Sequence, residues 1–354
     1  MSQTSIDGLG IFQHALEAMG HGSDGNFDLL LRDNRVLCAL PADSETALRT
    51  IELYQPQRWK GRLLKFLVQM CLEHGFRFPL LKTWGNGADD SGKEARNIGI
   101  MIGSTGHHCE RAVAVIRSED HWEVVKLAFG PDSDRILEKE AIMLKQLWAY
   151  PSVPEIRDYH VGARSARLHM TWQDGVPWHS NDISRVIGLL KCWKSNQEPR
   201  ALAAFPEWNA IMAGLDGFPE WQKKAAVWAD YRLVPSIRHG DLTRPNLRLS
   251  PSGVLWVHDW ERGSIDGVPG LDLAHFLIQD ISFRKSIPGD KVMKGVLRQL
   301  HSDPCKEWIR SIGWKDGPVS LLAATIAFNM GSEYFEHGDL LDILHDLSGN
   351  YQHE

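Results

Sequence analysis

The sequence predicts an α+β protein in which a small, sheet-rich lobe precedes a larger helical lobe. Three short apolar runs between residues 98 and 130 have the composition and turn spacing of consecutive antiparallel strands. After residue 181 most segments have helical periodicity, interrupted by one strand pair at 247–258. An antiparallel sheet followed by helices is the order typical of an α+β fold.

The domain boundaries are predicted from changes in composition. A polar stretch containing glycines at 85–94 separates the first strands and helices from the three-stranded block. We therefore expect an α/β N-terminal extension over 1–95, the small lobe over 96–175 and the helical lobe over 176–354.

Composition excludes several classes of protein. The chain has 354 residues and a formal net charge of −6, which argues against a nucleic-acid-binding protein. Its five cysteines are odd in number and form no C-x-x-C pair, so neither a disulfide framework nor a zinc site is expected. No signal peptide and no apolar run of about 20 residues is present, so we expect a cytoplasmic protein without a transmembrane segment.

The extension contains a candidate hairpin around Arg32 and a helix that begins near Trp59. The helix has an apolar face formed by Trp59, Leu63, Phe66, Leu67 and Met70. We expect this face to dock on its own domain. The alternative is a membrane- or partner-binding helix, because basic side chains lie on it as well: Arg58, Lys60, Arg62 and Lys65.

A lysine in the third strand of the small lobe requires an anion. Trp122, Val124, Lys126 and Ala128 alternate onto one strand face, where an unpaired ammonium would be unfavourable. In the following helix Glu140 is the only acid on the inward apolar stripe, so we expect it to pair with Lys126. The alternative is that Lys126 extends to solvent at a sheet edge and Glu140 lies at a helix rim.

The segment 238–261 carries the chemistry. Two short strands joined by the turn-forming Ser250–Gly253 segment form a hairpin, so Asn246 before the first strand and Asp259 after the second become neighbours. Asp241 lies five residues before Asn246. Two carboxylates and a carboxamide are oxygen ligands that suit Mg²⁺ shared with phosphates. Turn-capping Asp and Asn residues are the alternative.

The segment from His239 to Asn246 resembles the catalytic loop of kinases, H-R-D-L-x-x-x-N, with glycine in place of the arginine. Its H-G-D-x-x-x-x-N form, followed by Asp259-Trp260-Glu261, resembles the aminoglycoside phosphotransferase and choline kinase family of small-molecule kinases. The resemblance implies a bilobal protein-kinase-like fold with ATP bound between the lobes. It also implies transfer of the γ-phosphoryl group to a hydroxyl.

The resemblance assigns roles to individual residues. It implies that Asp241 is the catalytic base, that Asn246 and Asp259 hold Mg²⁺, and that the Lys126–Glu140 pair binds the α- and β-phosphates of ATP. It implies that His239 and Asp272 support the loop, although a helix N-cap equally accounts for Asp272. Arg244 is expected to replace a lysine that contacts the γ-phosphate; the alternative is a solvated arginine.

Two further nucleotide contacts are expected. The segment Gly103-Ser104-Thr105-Gly106 is predicted to fold over the phosphates, although an ordinary hairpin turn explains it equally well. Backbone groups between Met170 and Trp172 are predicted to receive adenine at a hinge. A plain edge strand is the alternative.

The acceptor is predicted to be a small molecule. Asp272 follows Asp259 by only thirteen residues, which leaves no room for a peptide-docking segment. A sugar or amino sugar is favoured because tryptophans, which can stack on sugar rings, concentrate near the insert at 178–235; burial of these tryptophans in the core is the alternative. The competing hypothesis is a pseudokinase, a nucleotide-responsive module that recruits a protein partner through residues 1–95. Inactivation of an antibiotic is a third.

Overall fold

The computed structural model divides into two units, Met1–Asp174 and Gly175–Glu354. The first is built around an antiparallel sheet and the second is mainly helical, so the predicted α+β class is confirmed. The division falls next to the expected boundary at residue 175. The residues that the structure describes are 8–20, 26–32, 35–56, 59–84, 97–102, 110–118, 121–285 and 289–332.

The first unit contains four described helices and eight described strands. The helices are α1 (Leu9–Ala18), α2 (Ser44–Leu53), α3 (Trp59–Glu73) and α4 (Pro131–Gln146). The strands are β1 (Phe27–Arg32), β2 (Arg35–Pro41), β3 (Lys82–Trp84), β4 (Ile98–Ile102), β5 (Glu110–Arg117), β6 (Trp122–Phe129), β7 (Ile156–Val161) and β8 (Ala166–Thr171).

All eight strands join one antiparallel sheet in the order β3-β1-β2-β4-β5-β6-β8-β7. Strand β2 pairs with β4 through Cys38 opposite Met101 and Ala39 opposite Ile100. The N-terminal extension therefore shares a sheet with the small lobe, and the boundary expected near residue 95 lies inside the first unit.

Helices cover both faces of this sheet. On one face Phe12 and Leu16 of α1 pack with Ile100 of β4 and Leu127 of β6. The other face carries a second core to which α2, α3 and neighbouring strands contribute Ile51, Val68, Leu30, Cys38 and Leu40. Side chains alternate along a strand, so Lys126 points away from the face that carries Leu127.

The expected docking of the α3 apolar face is wrong. Trp59, Leu63, Phe66, Leu67 and Met70 are exposed, and the helix packs on its unit through Val68, with Leu64, Cys71 and Leu72 partly buried against the same core. The helix has apolar residues on two opposite faces, so periodicity identified the helix without identifying its buried face.

The second unit holds the remaining elements. Its described helices are α5 (Ile183–Cys192), α6 (Trp208–Gly214), α7 (Pro219–Trp228), α8 (Leu271–Lys285), α9 (Gly289–Leu300), α10 (Asp303–Ser311) and α11 (Pro318–Gly331). Its described strands are β9 (Val176–Pro177), β10 (Arg200–Ala201), β11 (Arg232–Leu233), β12 (Ser236–Arg238), β13 (Leu247–Leu249), β14 (Leu255–Val257) and β15 (Ser264–Gly267).

The tryptophans of the helical unit belong mainly to its core. Trp178, Trp193, Trp221 and Trp228 are fully buried, so the expected stacking of sugar rings on these side chains is not supported. Within the described part of the chain, no helix combines the length and apolarity needed to cross a bilayer.

Candidate active site

The loop between β12 and β13 brings the predicted catalytic residues of the second unit together. A single 3₁₀ turn, Arg244–Asn246, leads into β13, which pairs with β14 through Leu247 opposite Val257. The N–H of His258 donates to the carbonyl of Asn246 at 3.0 Å. Asn246 and Asp259 therefore flank the same end of one hairpin, as the sequence predicted.

Asp272 in the first turn of α8 anchors the loop. Its Oδ2 accepts the N–H of His239 at 2.6 Å, and its Oδ1 accepts the N–H of Gly240 at 2.9 Å. Gly240 has a φ of 81°, and a Cβ there would collide with the carbonyl oxygen of Arg262. This close approach explains why glycine, and no larger residue, fits this position of the loop.

His239 is a buried, neutral support of the loop. Its Nε2 lies 2.7 Å from the carbonyl of His258, and the N–H of Asp241 donates to its Nδ1 at 3.2 Å. One tautomer, protonated on Nε2, satisfies both contacts. Burial lowers the pKa of His239 below 6.5, although nearby carboxylates, Asp272 first, oppose the shift. Its ring also packs on Trp260, with 4.8 Å between the ring centroids.

Asp241 presents a carboxylate that is 35% exposed. Behind it, Asn246 Nδ2 donates to the Asp241 carbonyl at 2.9 Å and lies 3.4 Å from Asp241 Oδ2. Since the amide nitrogen is directed at Asp241, Oδ1 of Asn246 is the atom left for a cation.

Asp259 has a left-handed backbone, with φ 65° and ψ 62°. Within the described ranges it is the only non-glycine residue with a positive φ. Such a conformation is unfavourable by about 1 kcal/mol and is concentrated at functional sites. In the same part of the chain, no three His, Cys, Asp or Glu side chains are arranged to hold a metal. Asn246 and Asp259 carry one carboxamide and one carboxylate at the same end of the hairpin, and their role as Mg²⁺ ligands stays a prediction.

The first unit contains the predicted ion pair. Lys126 Nζ lies 2.7 Å from Oε1 and 2.8 Å from Oε2 of Glu140. The side chain of Glu140 is 2% exposed and that of Lys126 is 16% exposed. A buried pair of this kind needs close geometry to offset the loss of hydration, and both oxygens are within hydrogen-bond distance.

Sequence reasoning missed His275. Its Nε2 lies 3.4 Å from Asp241 Oδ1, and its Nδ1 lies 3.4 Å from Nδ2 of Asn329. The side chain is buried on α8, three residues after Asp272. That i, i+3 spacing places both residues on one helix face and was the available signal.

Arg244 forms an ion pair that the sequence did not indicate, so it is not the solvated arginine considered as the alternative. Its guanidinium forms two hydrogen bonds with the Asp280 carboxylate and donates to the carbonyl of Ser180 at 2.6 Å. It also lies over the ring of Trp178, 4.7 Å from the centroid. The planar guanidinium is thus held by a carboxylate and a carbonyl, and its predicted contact with the γ-phosphate stays a prediction.

The structure excludes the plain edge strand for the predicted hinge segment, whose contact with adenine stays a prediction. Strand β8 lies between β6 and β7, so it is not an edge strand, and Met170 lies within it. The Trp172 N–H donates to the carbonyl of Trp122 at 3.0 Å, so that backbone donor is used by the sheet. The predicted phosphate-covering residues Gly103, Ser104, Thr105 and Gly106 lie outside the described residues.

A cavity of about 570 Å³ adjoins the catalytic loop within the second unit. Trp178 and Phe276 form part of its wall, together with the Arg244–Asp280 ion pair. Three more basic residues line it from α9: Lys291, Lys294 and Arg298. Among the described lining residues Asp280 is the only acid, so this part of the lining has an excess of positive charge.

Comparison with known proteins finds similar solved structures at low sequence identity. No protein-family model and no curated protein matches the sequence. An aminoglycoside phosphotransferase from Streptomyces rimosus is similar at 17% identity, with 76% of this chain and 98% of that chain covered and a TM-score of 0.42. A choline kinase from Streptococcus pneumoniae is similar at 14% identity, with coverages of 70% and 91% and a TM-score of 0.42. An ethanolamine kinase from Plasmodium vivax is 14% identical, with coverages of 86% and 92% and a TM-score of 0.42.

Proposed function

We propose that this chain transfers the γ-phosphoryl group of ATP to a hydroxyl group of a small molecule in a Mg²⁺-dependent reaction. The observation that carries the proposal is the loop from His239 to Asn246. Asp272 anchors its backbone, and the hairpin that follows ends at Asp259. A partly exposed carboxylate beside two oxygen ligands is the donor set that phosphoryl transfer requires.

In this proposal Asp241 receives the hydroxyl of the acceptor. Its carboxylate accepts the hydroxyl hydrogen bond and orients the oxygen toward the γ-phosphorus. As the new oxygen–phosphorus bond forms, the bond to the β–γ bridging oxygen breaks and the hydroxyl proton passes to Asp241. His275, 3.4 Å away, restricts the rotation of this carboxylate.

In the proposal, the other polar residues bind Mg²⁺ and the phosphates of ATP. Asn246 Oδ1 and the Asp259 carboxylate would hold Mg²⁺, which when bound neutralises phosphate charge. Lys126, held by Glu140, is assigned to the α- and β-phosphates. The competing hypothesis of a pseudokinase is not favoured, because all five of these polar residues, Asp241 included, are present.

The acceptor that suits the cavity beside the loop is a hydroxyl compound with an anionic group. Three basic side chains from α9 line the cavity, and the only acid among its described lining residues, Asp280, is already paired with Arg244. An amino sugar would bring a cation to a site with excess positive charge, whereas a sugar acid or sugar phosphate matches that charge. In place of the sugar or amino sugar that the sequence favoured, we therefore propose an anionic, saccharide-like acceptor.

The phosphotransferase is tested with nucleotide alone and then with acceptors. Stabilisation of the protein by ATP should require Mg²⁺ and disappear in EDTA. Asp241→Asn should retain that thermal shift, whereas its phosphoryl transfer should fall by about 10²-fold or more. Wild-type turnover in Asp241→Asn would contradict the proposal. So would a thermal shift with ATP that is the same with Mg²⁺ and with EDTA.

The acceptor class is tested by ATP consumption with neutral sugars, amino sugars, sugar acids and sugar phosphates. Anionic compounds should be preferred, and Lys294→Gln with Arg298→Gln should raise their KM with little change in kcat. Lys223→Gln, an exposed lysine of α7 outside the cavity, is the matched control. A preference for amino sugars would reject the anionic acceptor and leave the phosphotransferase intact.

A further inference from the structure

Exposed large apolar side chains are concentrated on α3 and in the segment that follows it. Of the thirteen large apolar side chains that are exposed among the described residues, seven lie between residues 59 and 80. We call this set the apolar ridge: Trp59, Leu63, Phe66, Leu67, Met70, Phe76 and Leu80. Trp59 is 68% exposed and Leu80 is 73% exposed. Concentrated exposure of this kind marks an interaction surface.

The ridge is an ordered part of the fold. The opposite face of α3 is fixed by Val68, which is fully buried in the core that Ile51 and Cys38 also form. The helix ends in a Schellman motif, in which the N–H of Gly75 donates to Leu72 at 3.1 Å and that of Phe76 to Cys71 at 2.8 Å. The five ridge residues of α3 therefore form one convex, rigid stripe, and Phe76 and Leu80 follow it directly in the chain.

Charge distinguishes between the possible occupants of the ridge. At 100° per residue, Lys60 and Arg62 lie on opposite sides of the stripe, about 80° from its centre. The segment 59–84 contains five Lys and Arg residues and one Glu, in a chain whose net charge is −6. Basic side chains beside a convex stripe of Trp, Phe, Leu and Met match the border between anionic headgroups and acyl chains.

We propose that α3 attaches this protein to an anionic lipid surface, with the apolar ridge inserted below the headgroups and Lys60 and Arg62 at their level. The helix lies in the interface and does not cross the bilayer. This proposal is independent of the phosphotransferase proposal, since it uses no residue of that site. It replaces the protein partner that the sequence suggested for residues 1–95.

Vesicle flotation of the full-length chain tests the proposal. The protein should float with vesicles that contain phosphatidylcholine and phosphatidylglycerol, and much less with phosphatidylcholine alone. Trp59→Ser with Phe66→Ser should reduce the bound fraction by about tenfold or more, because both apolar side chains leave the acyl region. Lys60→Glu with Arg62→Glu should reduce binding to the anionic vesicles only.

Trp148→Ser is the matched control, because Trp148 is 79% exposed outside the ridge and its replacement should leave flotation unchanged. Since all the substituted side chains are exposed, thermal unfolding should be similar in every variant. Absence of flotation in the wild type, or equal losses in the ridge and control variants, would overturn the proposal. A second result would also overturn it: in the absence of lipid, the wild type is a dimer and the ridge variants are monomers. The ridge would then bind a second copy of the chain.

Discussion

Nε2 of His275 lies 3.4 Å from Oδ1 of Asp241, and both residues are tied to the same helix, His275 by its position on α8 and Asp241 through the loop that Asp272 anchors. The carboxylate of the proposed base thus has two neighbours, the amide nitrogen of Asn246 near Oδ2 and the buried imidazole of His275 near Oδ1. In this arrangement His275 is a positioning residue, because it acts on the acceptor only through Asp241.

Replacement of His275 by alanine should lower kcat by about 10- to 100-fold, with little change in the KM for Mg·ATP. The carboxylate of Asp241 would remain but would lose one of the contacts that fix its rotamer. Steady-state kinetics with the best acceptor measure the effect, and His160→Ala, an exposed histidine of β7, serves as the control. A rise in the KM for nucleotide at constant kcat would contradict the positioning role.

Asp259→Asn should separate nucleotide binding from folding. Asparagine also tolerates the left-handed backbone, so the free energy of unfolding without ligand should change little. The loss of the carboxylate charge should remove most of the Mg²⁺-dependent stabilisation by ATP, which thermal unfolding at several Mg²⁺ concentrations measures. If the variant keeps the wild-type dependence on Mg²⁺, Asp259 is not a ligand.

The catalytic loop was predictable because its geometry is local. Asn246 and Asp259 are joined by a short hairpin, and a sequence pattern fixes which ends of a hairpin meet. The Lys126–Glu140 contact was also predictable. A lysine on an apolar strand face needs an anion, and the next helix has a single acid on its apolar stripe. In both cases the two residues lie no more than 14 positions apart, and the segment between them contains the necessary information.

The remaining features depend on long-range packing. Nothing in the sequence indicated the ion pair between Arg244 and Asp280, because Asp280 lies 36 residues away on another helix. The exposed face of α3 could not be chosen from periodicity, because Val68 on the opposite face is equally apolar. Which of two apolar faces is buried depends on the rest of the fold, and that information lies outside the helix itself.

Lys126→Met should destabilise the first unit by about 3 kcal/mol, because Glu140 would remain buried without its ammonium partner. The double variant Lys126→Met with Glu140→Gln should recover a large part of this loss, since the buried charge is removed as well. Urea unfolding of the two single variants and the double variant gives the coupling free energy. Additive losses would show that the two side chains do not form a stabilising pair.

The buried imidazole of His239 predicts a pH dependence of stability. Burial holds its folded-state pKa below 6.5, so at mildly acidic pH the unfolded chain binds a proton that the folded chain does not. Stability from this group is therefore complete above pH 6.5 and is lost as the pH falls below it, by up to about 1.4 kcal/mol per pH unit. His239→Gln should flatten the free energy of unfolding between about pH 5 and pH 7 relative to the wild type. The matched variant His160→Gln replaces an exposed histidine and should keep the wild-type slope. If wild type and His239→Gln have equal slopes, His239 binds its proton equally well in the folded and unfolded states, and the prediction is wrong.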